Sequence, residues 1–68
     1  MNTAEMLVAA RAAAGHSKAR AAREIGCSVP TVTKVEGGQQ VGDLAESAVR
    51  VYCTWWLGRR GEKSTTHG

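Results

Sequence analysis

The sequence contains no phenylalanine, and its aromatic residues are limited to two tryptophans and one tyrosine among 68 residues. Hydrophobic residues make up 43% of the chain, but 11 of them are alanines, which bury little area each. A domain of this length buries only about 60% of the surface that its unfolded chain exposes. We therefore expect one domain with a thin core, for which oligomerisation would be an additional source of stability.

Residues that carry chemistry are also scarce. Cys27 and Cys53 are far apart, no CxxC is present, and His16 and His67 do not complete a metal-ligand spacing. The chain has one aspartate and no glycine-rich phosphate loop, and a domain this small offers little room for a pocket of ~300 Å³. The sequence predicts no metal, no cofactor, no small-molecule ligand and no enzymatic activity.

Signals for export or membrane insertion are missing as well. The N-terminus lacks a basic segment followed by an apolar run. No apolar stretch approaches the ~20 residues that are needed to span a bilayer. We therefore expect a cytoplasmic protein without a membrane partner, in which the reduced cysteines act as small hydrophobic residues.

Basic residues are concentrated in one part of the chain. The formal net charge is +3, and residues 11–34 contain only one acid, Glu24. The basic residues in this segment are Arg11, Lys18, Arg20, Arg23 and Lys34. Such an excess favours a polyanion as partner, although a solvated helix face explains it equally well.

Capping patterns predict helices at both ends of the chain. Asn2 followed by Glu5 begins an alanine-rich helix that Gly15 ends. Asp43 begins a last helix whose apolar residues recur at spacings of three and four. These residues are Leu44, Ala48, Val51, Tyr52 and Trp55.

The last helix is expected to reach Leu57 or beyond. Residues 58–68 show no apolar periodicity, contain Arg59 and Arg60, and are predicted to be a basic, flexible tail. Residues 1–57 then form the folded domain. No segment has the pattern of a strand, so the predicted fold class is all-α.

Residues 17–37 have the pattern of two short helices joined by a tight turn that contains glycine, which is a helix-turn-helix. Ser17 caps the first helix, Gly26 permits a left-handed bend, and Ser28 caps the second helix, with Pro30 in its first turn. Apolar residues on both helices face each other across the bend. They are Ala21 and Ala22 on the first helix and Val32 and Val35 on the second.

An outward face remains on the second helix when Val32 and Val35 are placed inside. This recognition face comprises Val29, Pro30, Thr31, Thr33 and Lys34. A helix with small, polar and basic residues outside can enter the major groove of double-stranded DNA. There, lysine can donate to guanine, threonine can bond to base edges or place its methyl near thymine, and Val29 and Pro30 can make only apolar contacts.

Contacts to DNA phosphate would position this helix without contributing sequence preference. The start of the helix after Ser17 offers N–H groups and a partial positive charge, to which Lys18 adds a full one. Gln39 and Gln40 follow the recognition helix and can donate amide hydrogens to phosphate.

Residues 7–38, LVAARAAAGHSKARAAREIGCSVPTVTKVEGG, resemble the Cro and phage-repressor helix-turn-helix family, with its lambda-repressor-like domain of four to five helices. The resemblance implies a semi-buried ion pair between Arg11 and Glu36. It also implies dimers on palindromic operators, a role as transcriptional repressor or switch, and a bacterial or phage-infected cell as the setting. This chain departs from the family pattern in having Lys18 where glutamine is usual, in Pro30, and in its unbroken C-terminal helix.

Trp55 and Trp56 are adjacent, so a helix directs them about 100° apart and both cannot fill one core. One interpretation is that one tryptophan completes the core and the other is partly exposed. The alternative, which we prefer, is that one of them anchors a homodimer. The predicted subunit contact comprises Val51, Tyr52, Trp55 and Trp56. A different function, protein binding through this surface in an antitoxin or anti-repressor, is the runner-up.

Overall fold

A computed structural model describes the backbone of residues 2–63 and the side chains of residues 2–58. Over this range the chain forms four helices and no strand, which confirms the all-α prediction. The helices are α1 (Thr3–Ala14), α2 (Lys18–Ile25), α3 (Val29–Glu36) and α4 (Asp43–Lys63).

Short polar side chains and glycines set the ends of the first three helices. The side chains of Asn2, Ser17 and Ser28 each accept a hydrogen bond from the backbone N–H three residues further on. Each therefore satisfies a donor that a helix leaves unpaired at its start. Gly15 and Gly26 end α1 and α2 at φ 72° and 91°, a left-handed conformation that costs glycine little.

Helix α4 continues beyond Leu57, the last residue of the predicted domain, and ends at Lys63. Residues 58–63, the first part of the predicted tail, therefore continue this helix, which was expected to reach Leu57 or beyond. Gly58 and Gly61 lack the strong breaking effect of proline, because each costs only about 1 kcal/mol relative to alanine and keeps its N–H donor. Residues 64–68 of the predicted tail lie outside the described residues.

The core contains small side chains, as the composition predicts, and leucine and valine are its largest aliphatic members. Its buried residues are Leu7, Ala10, Ala21, Ala22, Val32, Val35, Val49, Tyr52 and Cys53. Helix α1 packs chiefly against α4 and α3, while α2 and α3 pack against each other. Alanines on the inner side of α2 let its backbone approach the core closely, so a thin set of side chains suffices to fill it.

Tyr52 joins α4 to the bend between α1 and α2. Its side chain is only 5% exposed, and its hydroxyl lies 2.8 Å from His16 Nδ1. The His16 ring also meets the edge of Trp56, with centroids 5.2 Å apart and planes at 81°. Little of Tyr52 is therefore accessible for the predicted subunit contact, because its hydroxyl and its ring are both used within the monomer.

Both cysteines are free thiols, with Cys53 buried and Cys27 half-buried. Burial raises the pKa of the Cys27 thiol, and it raises the pKa of the Cys53 thiol to about 11. Since the thiolate is the reactive form, both groups behave as small packing residues at neutral pH. Within residues 2–63, no cluster of three or more potential metal ligands is present, and no helix is long and apolar enough to cross a membrane.

Candidate nucleic-acid interface

Helices α2 and α3 meet at a corner that is held by four buried side chains. These are Ala21, Ala22, Val32 and Val35. At the bend, the backbone N–H groups of Gly26 and Cys27 both donate to the Ala22 carbonyl, at 2.8 and 2.9 Å. The bend therefore satisfies the end of α2 while it redirects the chain into α3.

Arg11 and Glu36 form a two-bond ion pair that ties α1 to the end of α3. Arg11 Nε donates to Glu36 Oε2 at 2.6 Å, and Arg11 Nη2 donates to Oε1 at 3.2 Å. A third donor, Nη1, reaches the His16 carbonyl at 3.2 Å. The fork geometry of guanidinium fixes both the distance and the orientation of its partners. This one side chain therefore fixes the position of α3 relative to α1 and to the bend between α1 and α2.

The outer side of α3 carries the predicted recognition face. Four of its five members, Val29, Pro30, Thr33 and Lys34, are exposed, and Thr31 is half-buried. The Lys34 side chain takes part in no hydrogen bond or ion pair among the described residues, so its ammonium group is available to a ligand.

Both threonine hydroxyls of the recognition face already have partners. Thr31 Oγ1 lies 3.0 Å from Ser28 Oγ, one turn earlier on the same helix. Thr33 Oγ1 accepts from Lys18 Nζ at 3.4 Å, which links the start of α2 to the middle of α3. The first contact follows from an i, i+3 spacing that sequence can reveal, whereas the second joins residues 15 apart and depends on how α2 and α3 cross.

The basic segment is less positive than its composition indicates. Two of its arginines have carboxylate partners, Arg11 with Glu36 and Arg20 with Glu24, and outside the segment Arg50 pairs with Glu46. Over residues 2–58, the basic side chains without a carboxylate partner are those of Lys18, Arg23 and Lys34. Lys18 lies at the start of α2 next to Thr33, and Lys34 lies on the recognition face itself. This positive charge is therefore concentrated on and beside the recognition face.

Two further elements flank this surface. Helix α2 begins at Lys18 after the Ser17 cap, and Gln39 and Gln40 are exposed in the segment after α3. The Gln39 N–H donates to the Lys34 carbonyl at 2.9 Å, which anchors the segment to the end of α3. The four residues predicted to contact phosphate therefore lie at the start of α2 and just after α3.

A separate, largely apolar groove of about 370 Å³ lies between the end of α2 and α4. Its lining includes Ile25, Val51, Trp55 and Trp56. Val51 is 69% and Trp55 57% exposed, while Trp56 is half-buried against the core. A domain of this size was expected to offer little room for a pocket, and the groove reaches this volume because an open groove between two helices needs no enclosed cavity.

A family model described as a helix-turn-helix domain matches residues 4–54. This range covers most of the chain and includes the α2–α3 corner with the whole recognition face. The chain therefore belongs to the helix-turn-helix domain family, which is a DNA-binding and typically non-enzymatic family. Comparison with curated proteins finds no match, and comparison with solved structures also finds none.

Proposed function

We propose that this protein is a sequence-specific transcriptional regulator of the repressor or Cro-like type. It binds a palindromic operator in double-stranded DNA as a homodimer, with one α3 helix of each subunit in the major groove. The observation that carries this proposal is the exposed recognition face, which includes Lys34 and lies beside Lys18, on a helix whose orientation is fixed by the Arg11–Glu36 ion pair. A helix of this kind fits the major groove, which admits one α-helix.

Within this function, the two lysines have different roles. Lys34 is a member of the recognition face and donates to guanine O6 or N7. Lys18, at the start of α2, holds a phosphate together with Ser17, Gln39 and Gln40, and its contact with Thr33 aligns it with α3. Lys34 thus contributes to base preference, and Lys18 contributes to the affinity for DNA of any sequence.

The homodimer is supported by the exposed apolar area on α4. Val51 and Trp55 are large apolar residues with most of their surface accessible, and interfaces are enriched in tryptophan. Trp56 lies beside them at the rim of the groove. Two subunits would place their recognition helices about 34 Å apart, one turn of DNA.

The direct test is selection of binding sites from random duplex DNA with the full chain at physiological salt. We expect a palindromic consensus that binds at least about 10³-fold more tightly than random duplex. Affinity for the best selected sequence that barely exceeds the affinity for random duplex would contradict the proposal.

Two variants test the separate roles of the lysines. Lys34→Ala should relax the base preference at one position of each half-site, at a cost of about 1–3 kcal/mol for the preferred base. Lys18→Ala should weaken binding to all sequences and lower the salt slope by about one. Arg50→Ala, on α4 away from the recognition face, is the control and should change neither quantity.

Protein binding through the groove on α4 is a second candidate function, because the exposed Val51 and Trp55 could contact a different protein. Such an antitoxin or anti-repressor would lose function on a Trp55→Ser/Trp56→Ser double substitution. It would keep function on a Thr33→Ala/Lys34→Ala double substitution. The DNA-binding proposal requires loss of function in the second variant.

A further inference from the structure

We propose that the recognition face identifies its site mainly through the C5-methyl groups of thymine. This inference rests on the proposed function and specifies which chemical group of the DNA is recognised. Each half-site would then carry two or three thymines where α3 lies in the major groove, together with one guanine opposite Lys34. A 5-methylcytosine would substitute for thymine wherever only the methyl group is contacted.

The first half of the recognition face is apolar. Val29, the first residue of α3, is 40% exposed and is not one of the residues that pack in the core. Pro30 is exposed next to it and has neither a polar side chain nor a backbone N–H. In the major groove, the thymine methyl is the one apolar group that the four base pairs present, so it is the natural partner of these two residues.

The two threonines add one methyl group each to this apolar surface, and each hydroxyl already has one partner. The Thr31 hydroxyl is turned toward Ser28, at 3.0 Å, and the Thr33 hydroxyl accepts from Lys18 at 3.4 Å. Staggered geometry then places each methyl in a different direction from its hydroxyl. A hydroxyl has one donor and two acceptor positions, so each keeps part of its hydrogen-bonding capacity. A methyl contact with thymine leaves both existing contacts unchanged.

Lys34 is left as the one charged donor on this face, and a single ammonium cannot define a site of several base pairs. Sequence preference must therefore come largely from shape and apolar contact along Val29, Pro30, Thr31 and Thr33. The face thus differs from one built on glutamine, asparagine or arginine, which make paired hydrogen bonds to adenine or guanine.

The test compares two random duplex libraries, one made with thymidine and one in which deoxyuridine replaces every thymidine. The two differ only in the C5-methyl group. We expect strong enrichment and a thymine-containing consensus from the first library, and much weaker enrichment from the second. On the best selected site, changing one contacted thymine to deoxyuridine should lower the affinity of the protein for the site about fourfold.

A second measurement removes the effect of the thymine–uracil exchange on DNA shape. Each important thymine is changed to cytosine and, separately, to 5-methylcytosine, with guanine opposite. Recovery of part of the lost affinity with 5-methylcytosine supports the methyl contact, and no recovery at any position overturns it.

Protein variants supply the matched control. Val29→Ala should reduce the preference for thymidine over deoxyuridine. Val8→Ala, which alters a valine of similar exposure on α1, should leave both this preference and the affinity unchanged.

The two proposals fail in different ways. If neither library is enriched, the proposed DNA-binding function is wrong. If both libraries give the same consensus with equal affinity, the protein binds specific DNA, but thymine methyl groups are not what it recognises.

Discussion

The α2–α3 corner and helix α4 distribute their apolar side chains differently. In the corner, Ala21, Ala22, Val32 and Val35 are buried, and Val29 is the one large aliphatic residue that is exposed. On α4, Val49, Tyr52 and Cys53 are buried, whereas Leu44, Val51 and Trp55 are well exposed. The corner uses its hydrophobic residues to hold one geometry, and α4 both closes the core and presents an unusually apolar outer side.

The difference separates two tasks within one small domain. A helix that enters a DNA groove must have a fixed orientation, and buried contacts with a forked ion pair supply it. A helix that also contacts another subunit must keep apolar area accessible, at some cost to the monomer. Substitutions in the α2–α3 corner and on helix α4 should therefore change different properties of the protein.

The largest expected effect is at the ion pair that orients α3. Arg11→Ala leaves Glu36, whose side chain is 11% exposed, without its partner, and should lower the free energy of unfolding by about 3 kcal/mol. Arg20→Ala, in a pair whose side chains are 55% and 42% exposed, should cost less than about 1 kcal/mol. Urea unfolding followed by circular dichroism measures both, and equal losses would contradict a special role for Arg11.

Alkaline pH should destabilise the α4 side of the core. The pKa of the Cys53 thiol is raised from 9.0 to about 11 in the fold, and burial also raises the pKa of Tyr52. The contribution of Cys53 is complete below pH 9 and is lost as pH rises from 9 to 11, by about 2–3 kcal/mol, and Tyr52 adds to the loss above pH 10.

The control for this prediction is Cys53→Ala. Its overall stability should be lower, but its free energy of unfolding should fall less steeply over the same pH range. The same dependence in the variant and the unmodified protein would show that Cys53 does not cause it.

The two tryptophans should respond unequally. Trp56 is half-buried and meets the His16 ring, so Trp56→Ala should lower monomer stability by about 2 kcal/mol. Trp55→Ala should have a smaller effect on the monomer and a larger effect on self-association, which sedimentation over a range of concentrations measures. A reversed order would mean that the apolar outer side of α4 serves the monomer core instead of a partner.

The smallest expected effect concerns the hydrogen bond between Tyr52 and His16. Tyr52→Phe keeps the buried ring and removes the hydroxyl, so it should cost about 1 kcal/mol. For a domain of this size, that lowers the midpoint of thermal unfolding by about 4–8 °C. No change would indicate that water replaces the hydroxyl at His16 without loss.

Local patterns were sufficient to predict most of the fold. The caps at Asn2, Ser17 and Ser28 predicted the starts of the first three helices, and the glycines at 15 and 26 predicted the ends of α1 and α2, because each acts within one turn of the chain. The sequence leaves the end of α4 open at Leu57 or beyond, since no strong local signal stops a helix there and propagation is energetically easier than nucleation.

The helix-turn-helix, the positions that pack its corner and the members of its recognition face thus follow from the sequence alone, because they depend on spacing within a few turns. Only the tertiary structure decided the environment of the side chains that meet across the fold. It brought Lys18 to Thr33, buried Tyr52 against His16, and gave the Arg11–Glu36 ion pair its two-bond geometry, whereas Arg20 and Arg50 pair with glutamates four residues away on their own helices. Helix crossing determines which side chains are close and which are accessible, and so it determined how much of the predicted positive charge and hydrogen-bonding capacity remains available to DNA.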